Sequence, residues 1–408
     1  MVPKGWEKNS LDSLFEFKNG LNTEKEQYGN GYKFVNVMDV FRNDILTESK
    51  IIGRVQVTDK QLEGYQLKYG DVLFNRTSET FDEIAIAAIY LDNAIATFGG
   101  FVIRARPKGN QIDPAYSVFL FQSKSYRSQV VKLGQGAIRA NIGQKDLARV
   151  CILVPPLAEQ KKIAQILSTW GKAIAVTEKL LVNSQKQKKA LMQQLLTGKK
   201  RLLDENGVRF RGEWKWLRAV ELFKTISQKN NSEDVELLAV TQDQGVIPRT
   251  MLERRVVMPD GSTKGYKLVV PGNFIISLRS FQGGLEYSRY RGLVSPAYTV
   301  LTPIKKIVDE FYKQYYKSYD FIGHLAVAVI GIRDGKQISY EDFSFLKLPY
   351  PEIEEQQKIA DVLSAADAEI SVLEKKLACL KDEKKALMQQ LLTGKRRVKT
   401  EVEETVSA

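Results

Sequence analysis

The sequence predicts an α+β protein. Two similar mixed α/β modules are separated by two long helices that form an antiparallel coiled coil, in a pseudo-twofold, near-circular arrangement. Three observations carry this. The segment Glu159 to Lys199 recurs from Glu355 to Lys395 at a constant offset of 196, and Lys189–Lys199 returns unchanged as Lys385–Lys395. Each copy follows roughly 150 residues of dissimilar sequence. Each copy also carries a sustained apolar heptad. The expected boundaries are a first module over 1–154, a helix over 155–201, a second module over 202–350, a second helix over 351–397 and a tail over 398–408.

The helices are the most legible elements. Trp170, Ile174, Thr177, Leu181, Ser184, Lys188, Leu191 and Leu195 are spaced alternately by four and three, and Ala366, Ile370, Leu373, Leu377, Leu380, Lys384, Leu387 and Leu391 keep that register. Such a seam needs another helix, and the obvious partner is the other copy. Connectivity favours antiparallel pairing with a module at each end, because 200–215 is too short for a parallel return. The expected interface is Ile174, Leu181, Leu191 and Leu195 against Ile370, Leu377, Leu387 and Leu391. Lys188 and Lys384 interrupt it, with stems that can snorkel or ammonium groups that can meet an acid. Gly198 and Gly394 sit just past each helix as C-cap residues. Pro155-Pro156, and Pro349 with Pro351, bar an earlier start. Gly171, near the start of the first helix, is expected to kink it.

Within the modules, Lys33–Val40 and Val235–Val240 read as first strands. Val72–Phe74 and Phe274–Ile276 read as buried strands after a turn. Ile84–Leu91 and Ala94–Arg104 read as a hairpin around Asp92-Asn93. Phe119 to Leu133, and Val308 to about Ile330, have helical spacing.

The chain has 408 residues and is 43% hydrophobic, enough for two full cores. A net charge of +13 favours a polyanionic partner. The first helix holds ten basic residues against two acidic, whereas the second holds nine against eight. Cys151 and Cys379 give neither a disulfide framework nor zinc spacing. With no apolar leader and no run of 18 apolar residues, a cytoplasmic location is expected.

No catalytic constellation is legible. The single histidine, His324, sits in an apolar run and excludes a histidine-based triad repeated in both modules. Gly331 to Lys336 is one residue short of a phosphate loop and lacks its Ser or Thr. What recurs is cations and amides in loops at matched places. Asn75, Arg76, Thr77 and Ser78 leave the buried strand of module one. Arg279, Ser280 and Gln282 leave the corresponding strand of module two. A second pair of loops, with Arg139 and Asn141 and with Arg333 and Lys336, precedes each last strand. Arg pairs bidentately with guanine and Asn or Gln with adenine in the major groove. These eleven residues are the candidate DNA contacts.

The Glu-Gln-x-Lys-Ile-Ala opening and the Lys-Ala-Leu-Met-Gln-Gln-Leu-Leu-Thr-Gly-Lys close, present twice around variable modules, resemble the specificity subunit of type I restriction–modification enzymes. The Arg-Phe-x-Gly-x-Trp start of module two, Arg209 to Trp214, fits as well. The resemblance implies two target recognition domains, each reading one half of a split double-stranded DNA site. It implies helices that set the spacer and dock two methyltransferase subunits, to which motor-nuclease subunits add. Cleavage and adenine methylation would then belong to the partners, with S-adenosylmethionine, ATP and magnesium bound there and no cofactor, metal or catalytic residue in this chain. Two other readings stay open: a coiled-coil adaptor that binds only proteins, and a DNA nuclease of unrecognised type.

Overall fold

The computed structural model describes residues 2–136, 139–229, 235–252, 263–328 and 338–400. The chain divides into two units. One is Met1–Thr177 with Lys376–Ala408, the other Glu178–Lys375. Each unit therefore takes a module together with half of each long helix.

The two long helices, Leu157–Leu195 and Ile353–Leu391, have 39 residues each. That is roughly 58 Å at about 1.5 Å per residue. The heptad seam is their least exposed stripe, with Thr177, Ser184, Leu195 and Leu391 buried and the other named seam residues half-buried. The pairing is antiparallel within each unit. In unit 2, Ser184 donates to Glu369 while Lys188, further along, pairs with the earlier Asp367. In unit 1, Glu159 meets Arg397 while a Cβ on Gly171, further along, would lie 3.5 Å from the ammonium of the earlier Lys384. The helix runs through Gly171 without a break.

The two seam lysines resolve differently. Lys188 is answered by Asp367, which also accepts from Gln314 Nε2 at 2.6 Å. In unit 1 the position equivalent to Asp367 is Gly171, and the Lys384 ammonium lies 5.7 Å from the Phe119 ring centre instead. An ion pair in one unit is replaced by a cation–π contact in the other. That removal of an acid from the first helix is part of its greater positive charge.

In unit 1 a five-stranded sheet runs in the order Phe15–Asn19, Val102–Pro107, Val72–Asn75, Ala87–Tyr90, Ile45–Leu46. Its pairings are antiparallel except the last. One face packs on the helices Pro114–Leu120 and Lys124–Leu133 through Phe15, Phe74, Phe121 and Tyr126, and this core takes in Ile163 and Leu167 of the first long helix and Leu391 and Leu392 at the end of the second. The other face packs Leu73, Tyr90 and Val102 against Val35, Val40 and Phe98. There the three-stranded sheet Arg54–Val55, Tyr28–Val35, Ala96–Phe98 lies.

Unit 2 repeats the plan with four strands, in the order Phe223–Ile226, Thr299–Pro303, Phe274–Ile276, Glu286–Tyr287. Its helices Asp309–Tyr315 and Tyr319–Ala328 cover one face with Phe223, Phe274, Tyr312 and Tyr316, joined by Leu195, Leu196, Ile359 and Leu363 of the long-helix regions. Each module closes on itself through a strand pair, Glu7–Ser10 with Cys151–Val154 and Lys215–Arg218 with Lys347–Tyr350.

Four expectations change. The hairpin around Asp92-Asn93 does not form, because Ala87–Tyr90 pairs in the large sheet and Ala96–Phe98 pairs parallel to Tyr28–Val35 in the small one. Asp92 explains the turn-off: its carboxylate accepts from Asn93 and Ala94 backbone N–H and from Glu48 N–H at 2.8 Å, which sends the chain across to the other sheet. The helix expected over 119–133 is two helices, and so is that over 308–330, as far as residue 328. Ser123 and Ser318 start the second helix of each pair by accepting from Tyr126 N–H at 3.3 Å and Phe321 N–H at 3.2 Å. The strand expected over 33–40 ends at Val35, and Val37–Arg42 is helical behind an Asn36–Asp39 capping box.

The repeated Glu-Gln pair acts inside the fold. Gln160 donates to Pro155 O and Gln111 O and accepts from Asp113 N–H. Gln356 likewise donates to Pro351 O and accepts from Val308 N–H. Each amide thus ties the helix start to the strand end and to its module. Glu159 receives Trp6 Nε1 at 3.0 Å and the fork of Arg397 at 2.7 and 2.8 Å. Glu355 receives Trp214 Nε1 at 3.0 Å and the fork of Arg201 at 2.6 and 2.7 Å. The glycine caps complete these corners: Gly198 and Gly394 adopt φ of +70° and +68°, and a Cβ on Gly198 would stand 2.9 Å from the Trp214 ring.

Candidate nucleic-acid interface

The two loops of module one that the sequence singles out are brought together. Thr77–Ser78 pairs antiparallel with Ala140–Asn141, Thr77 opposite Asn141 and Ser78 opposite Ala140. Ile142 N–H donates to Arg76 O at 3.0 Å, and Gln135 and Asn141 exchange backbone hydrogen bonds. The turn between them needs glycine at 136: its φ is +121° and a Cβ there would fall 2.1 Å from Arg139 O. Arg76, Arg139 and Asn141 are exposed on this ribbon, and the Asn141 amide donates to Arg139 O at 3.0 Å. Thr77 is half-exposed beside them.

Asn75 and Ser78 turn inward. Asn75 has no exposed surface, donates to Thr77 O and Glu83 O at 3.1 and 2.9 Å, and accepts from Ile86 N–H at 2.6 Å. Its amide is spent on holding the loop, so no base can reach it in this conformation. Ser78 donates to the Glu83 carboxylate at 3.1 Å. Behind the loop Arg127 donates to Asp82 O at 2.7 Å, and burial lowers the pKa of its guanidinium.

In unit 2 Arg279 and Gln282 are exposed on the turn and short helix Ser280–Gly283, beside exposed Leu278. Ser280 is buried and accepts from Ser277 N–H at 2.8 Å, so it shapes the turn and leaves the set of outward-facing candidates. The turn is braced from below. Gln242 Nε2 donates to Arg279 O at 3.4 Å, and Lys317 donates to Gln242 O, Gly283 O and the Glu286 carboxylate. Burial pushes the Glu286 carboxyl up against the pull of Lys317. Arg333 and Lys336 lie outside the described residues.

One neighbour of the ribbon is not marked by any motif. Phe101 is 65% exposed and its carbonyl accepts from Arg76 N–H at 2.9 Å, which puts a bare aromatic ring next to the ribbon. The preceding Gly99-Gly100 is the only local signal. Among the described residues no cluster of three or more His, Cys, Asp or Glu could hold a metal ion, and no helix is long and apolar enough to cross a membrane. The arrangement offers guanidinium and amide groups on a strand ribbon in unit 1 and on a turn in unit 2, suited to reading base edges.

The type I restriction modification DNA specificity domain matches residues 3–183 and again 219–382. The chain belongs to this family. It is a type I restriction–modification specificity subunit, a non-catalytic DNA-recognition component. A chain named for the MjaX type I restriction enzyme specificity subunit of Methanocaldococcus jannaschii is 28% identical over 98% of this chain and 95% of its own. The MjaVIII specificity subunit of the same organism is 25% identical over 73% of this chain and 74% of its own. In fold, the chain is similar to the S subunit of M. genitalium, with a TM-score of 0.56 and 15% identity over 96% of both chains. It is also similar to the HsdS subunit of Thermoanaerobacter tengcongensis, with 0.52 and 18% over 96% of this chain and 98% of that one. The paired modules with long helices are thus the fold of this family. The exposed arginine loops of the specificity subunit belong to the modules, whose sequences differ between the two units, and not to the repeated helices.

Proposed function

We propose that unit 1 and unit 2 each read one half of a bipartite double-stranded DNA site, that the long helices set the spacing between the halves, and that two copies of a methyltransferase subunit dock on them. Motor-nuclease subunits join that complex, and S-adenosylmethionine, ATP and magnesium are carried by the partners. The work is done on DNA in the cytoplasm. The observation that carries this reading is a contrast within the chain. The exposed recognition loops differ between units, while the flanking helix faces are the same. A cavity of about 520 Å³ in unit 2 is lined by Lys189, Met192, Gln193, Thr197 and Lys199, beside Ser318 and Tyr319. One of about 750 Å³ in unit 1 is lined by Lys385, Met388, Gln389, Thr393 and Lys395, beside Ser123 and Lys124. These two sets are identical residues at five positions related by the repeat offset of 196. Unlike tips with like flanks suit two different DNA targets and one kind of protein partner used twice.

Single-molecule sequencing of methylated adenines in host DNA tests the reading, with a split motif expected. A continuous motif, or methylation unaffected by deleting this chain, sinks it. Two variants refine it. Lys189→Glu with Gln193→Glu should remove one partner copy from the complex, and Lys385→Glu with Gln389→Glu the other. The readout is the mass of the assembled complex by light scattering, and retention of both copies counts against these faces. Inserting one heptad into both long helices adds about 10 Å of helix, or about 3 bp at roughly 3.4 Å per base pair. The spacer should grow by about that much with both half-motifs preserved; altered half-motifs with an unaltered spacer would contradict the role of the helices.

A further inference from the structure

Beside Arg76 lies a small pocket in unit 1 that base-edge reading in the groove does not use. Its volume is about 180 Å³, and it is lined by residues 21–23, Tyr28, Phe34, Asn36, Val37 and the loop 99–101. That volume is on the order of six waters at about 30 Å³ each, the scale of one ring system. The pocket is built where the backbone of three glycines is approached closely, once by backbone and twice by side chains. A Cβ on Gly20 would fall 1.9 Å from Gly99 O, one on Gly99 2.9 Å from the Phe34 ring, and one on Gly100 2.2 Å from Asn22 Oδ1. Glycine at these positions lets segment 20–23 close against loop 99–101, and Leu21 N–H donates to Phe98 O at 2.9 Å across that junction.

Its chemistry is that of a heteroaromatic ring with polar edges. Tyr28 and Phe101 stand at the rim, 47% and 65% exposed, and the Tyr28 ring meets buried Phe34 edge to face at 5.6 Å. Thr23 Oγ1 is buried and has no hydrogen-bond partner among the described residues. The Asn22 side chain is exposed and makes no hydrogen bond among them. A buried hydroxyl without a partner is costly unless a ligand supplies one. The pocket is continuous with the ribbon, because Phe101 O accepts from Arg76 N–H.

We propose that this pocket receives a nucleobase turned out of the stack of bound DNA, held against Tyr28 and Phe101 and read along its edge by Asn22 and the Thr23 hydroxyl. Stacking on aromatic side chains replaces the stacking lost in the duplex, and the amide and hydroxyl select among bases. The proposal rests on the reading of unit 1 as a DNA-binding module. It adds a specificity position that a major-groove contact alone would not supply.

The test uses the full chain without its methyltransferase partner, so that base extrusion by the partner does not contribute. Duplexes carrying the mapped site hold 2-aminopurine at successive positions of each half. One position in the half read by unit 1 should brighten several-fold on binding, and Asn22→Ala or Gly100→Ala should abolish the rise. Tyr28→Ala should weaken binding about tenfold with the thermal unfolding midpoint unchanged. If the DNA shifts but no position brightens, the pocket proposal fails and DNA reading stands. If the chain does not bind the duplex, both fail. Adenosine, thymidine, guanosine and cytidine are tested separately. Asn22-dependent binding of one of them, with no brightening, would make the pocket a small-molecule site and overturn the proposal.

Discussion

Replacing Glu355 by alanine should destabilise unit 2 by about 2–4 kcal/mol. Its carboxylate has no exposed side-chain surface and accepts three charge-assisted or indole hydrogen bonds, from the Arg201 fork and from Trp214. Removing one member of a buried pair typically costs about 3–5 kcal/mol, because the other charge is left without its partner. Arg201 retains 20% exposure and can be partly rehydrated, which places the expected loss below that range. Arg201 also lies 5.8 Å from the Trp214 ring centre and donates to Gly212 O, so freeing it loosens the start of module two. Glu159→Ala in unit 1 removes the same three bonds, but Arg397 is 41% exposed there. Its loss should be smaller, about 1–3 kcal/mol on the same grounds. Urea unfolding of the full chain, followed by tryptophan fluorescence and repeated for Glu355→Gln, measures both. Losses below about 0.5 kcal/mol for each carboxylate would show that the corners are held by apolar packing alone.

The helices were legible because a heptad is a long-range pattern: eight seam positions per helix must agree, and all of them are buried or half-buried. The two-unit plan followed from the repeat. The modules were less legible because single side chains decide their turns. Asp92 reads like any hairpin Asp-Asn, yet its bond to Glu48 N–H, far away in sequence, routes the chain into another sheet. Ser123 looks like one more polar residue on a helix but caps a new one.

The candidate site splits along the same line. Arg76, Arg139 and Arg279 are exposed, as charged groups without a buried partner must be. Asn75, Ser78 and Ser280 are short polar groups that satisfy their own loops, and nothing in the local sequence separates that use from base contact. Arg104 shows that charge type alone does not decide. It is 3% exposed, lies 5.7 Å from the Phe98 ring centre with Glu16 at 3.8 Å, and burial lowers its pKa.

Arg76→Ala should relax sequence discrimination in one half-site only, and Arg279→Ala in the other only. A bidentate arginine–guanine contact discriminates by about 1–3 kcal/mol, or roughly 5–150-fold between the preferred base and its competitors. The backbone of Arg76 is bonded to Phe101 O and Ile142 N–H, and that of Arg279 to Ser277 Oγ and to Gln282 and Gly283 N–H, so truncation beyond Cβ leaves the frame intact. Asn75→Ala supplies the contrast. It removes the bonds to Thr77 O, Glu83 O and Ile86 N–H, so it should lower stability and weaken the unit 1 half-site without changing its sequence preference. Binding selections on duplexes randomised in each half separate these outcomes. A uniform loss of affinity on every sequence for Arg76→Ala or Arg279→Ala, with a shallower salt dependence, would make these arginines phosphate contacts. Base selection in the groove would then fall to Asn141 and Gln282, the exposed amides beside them.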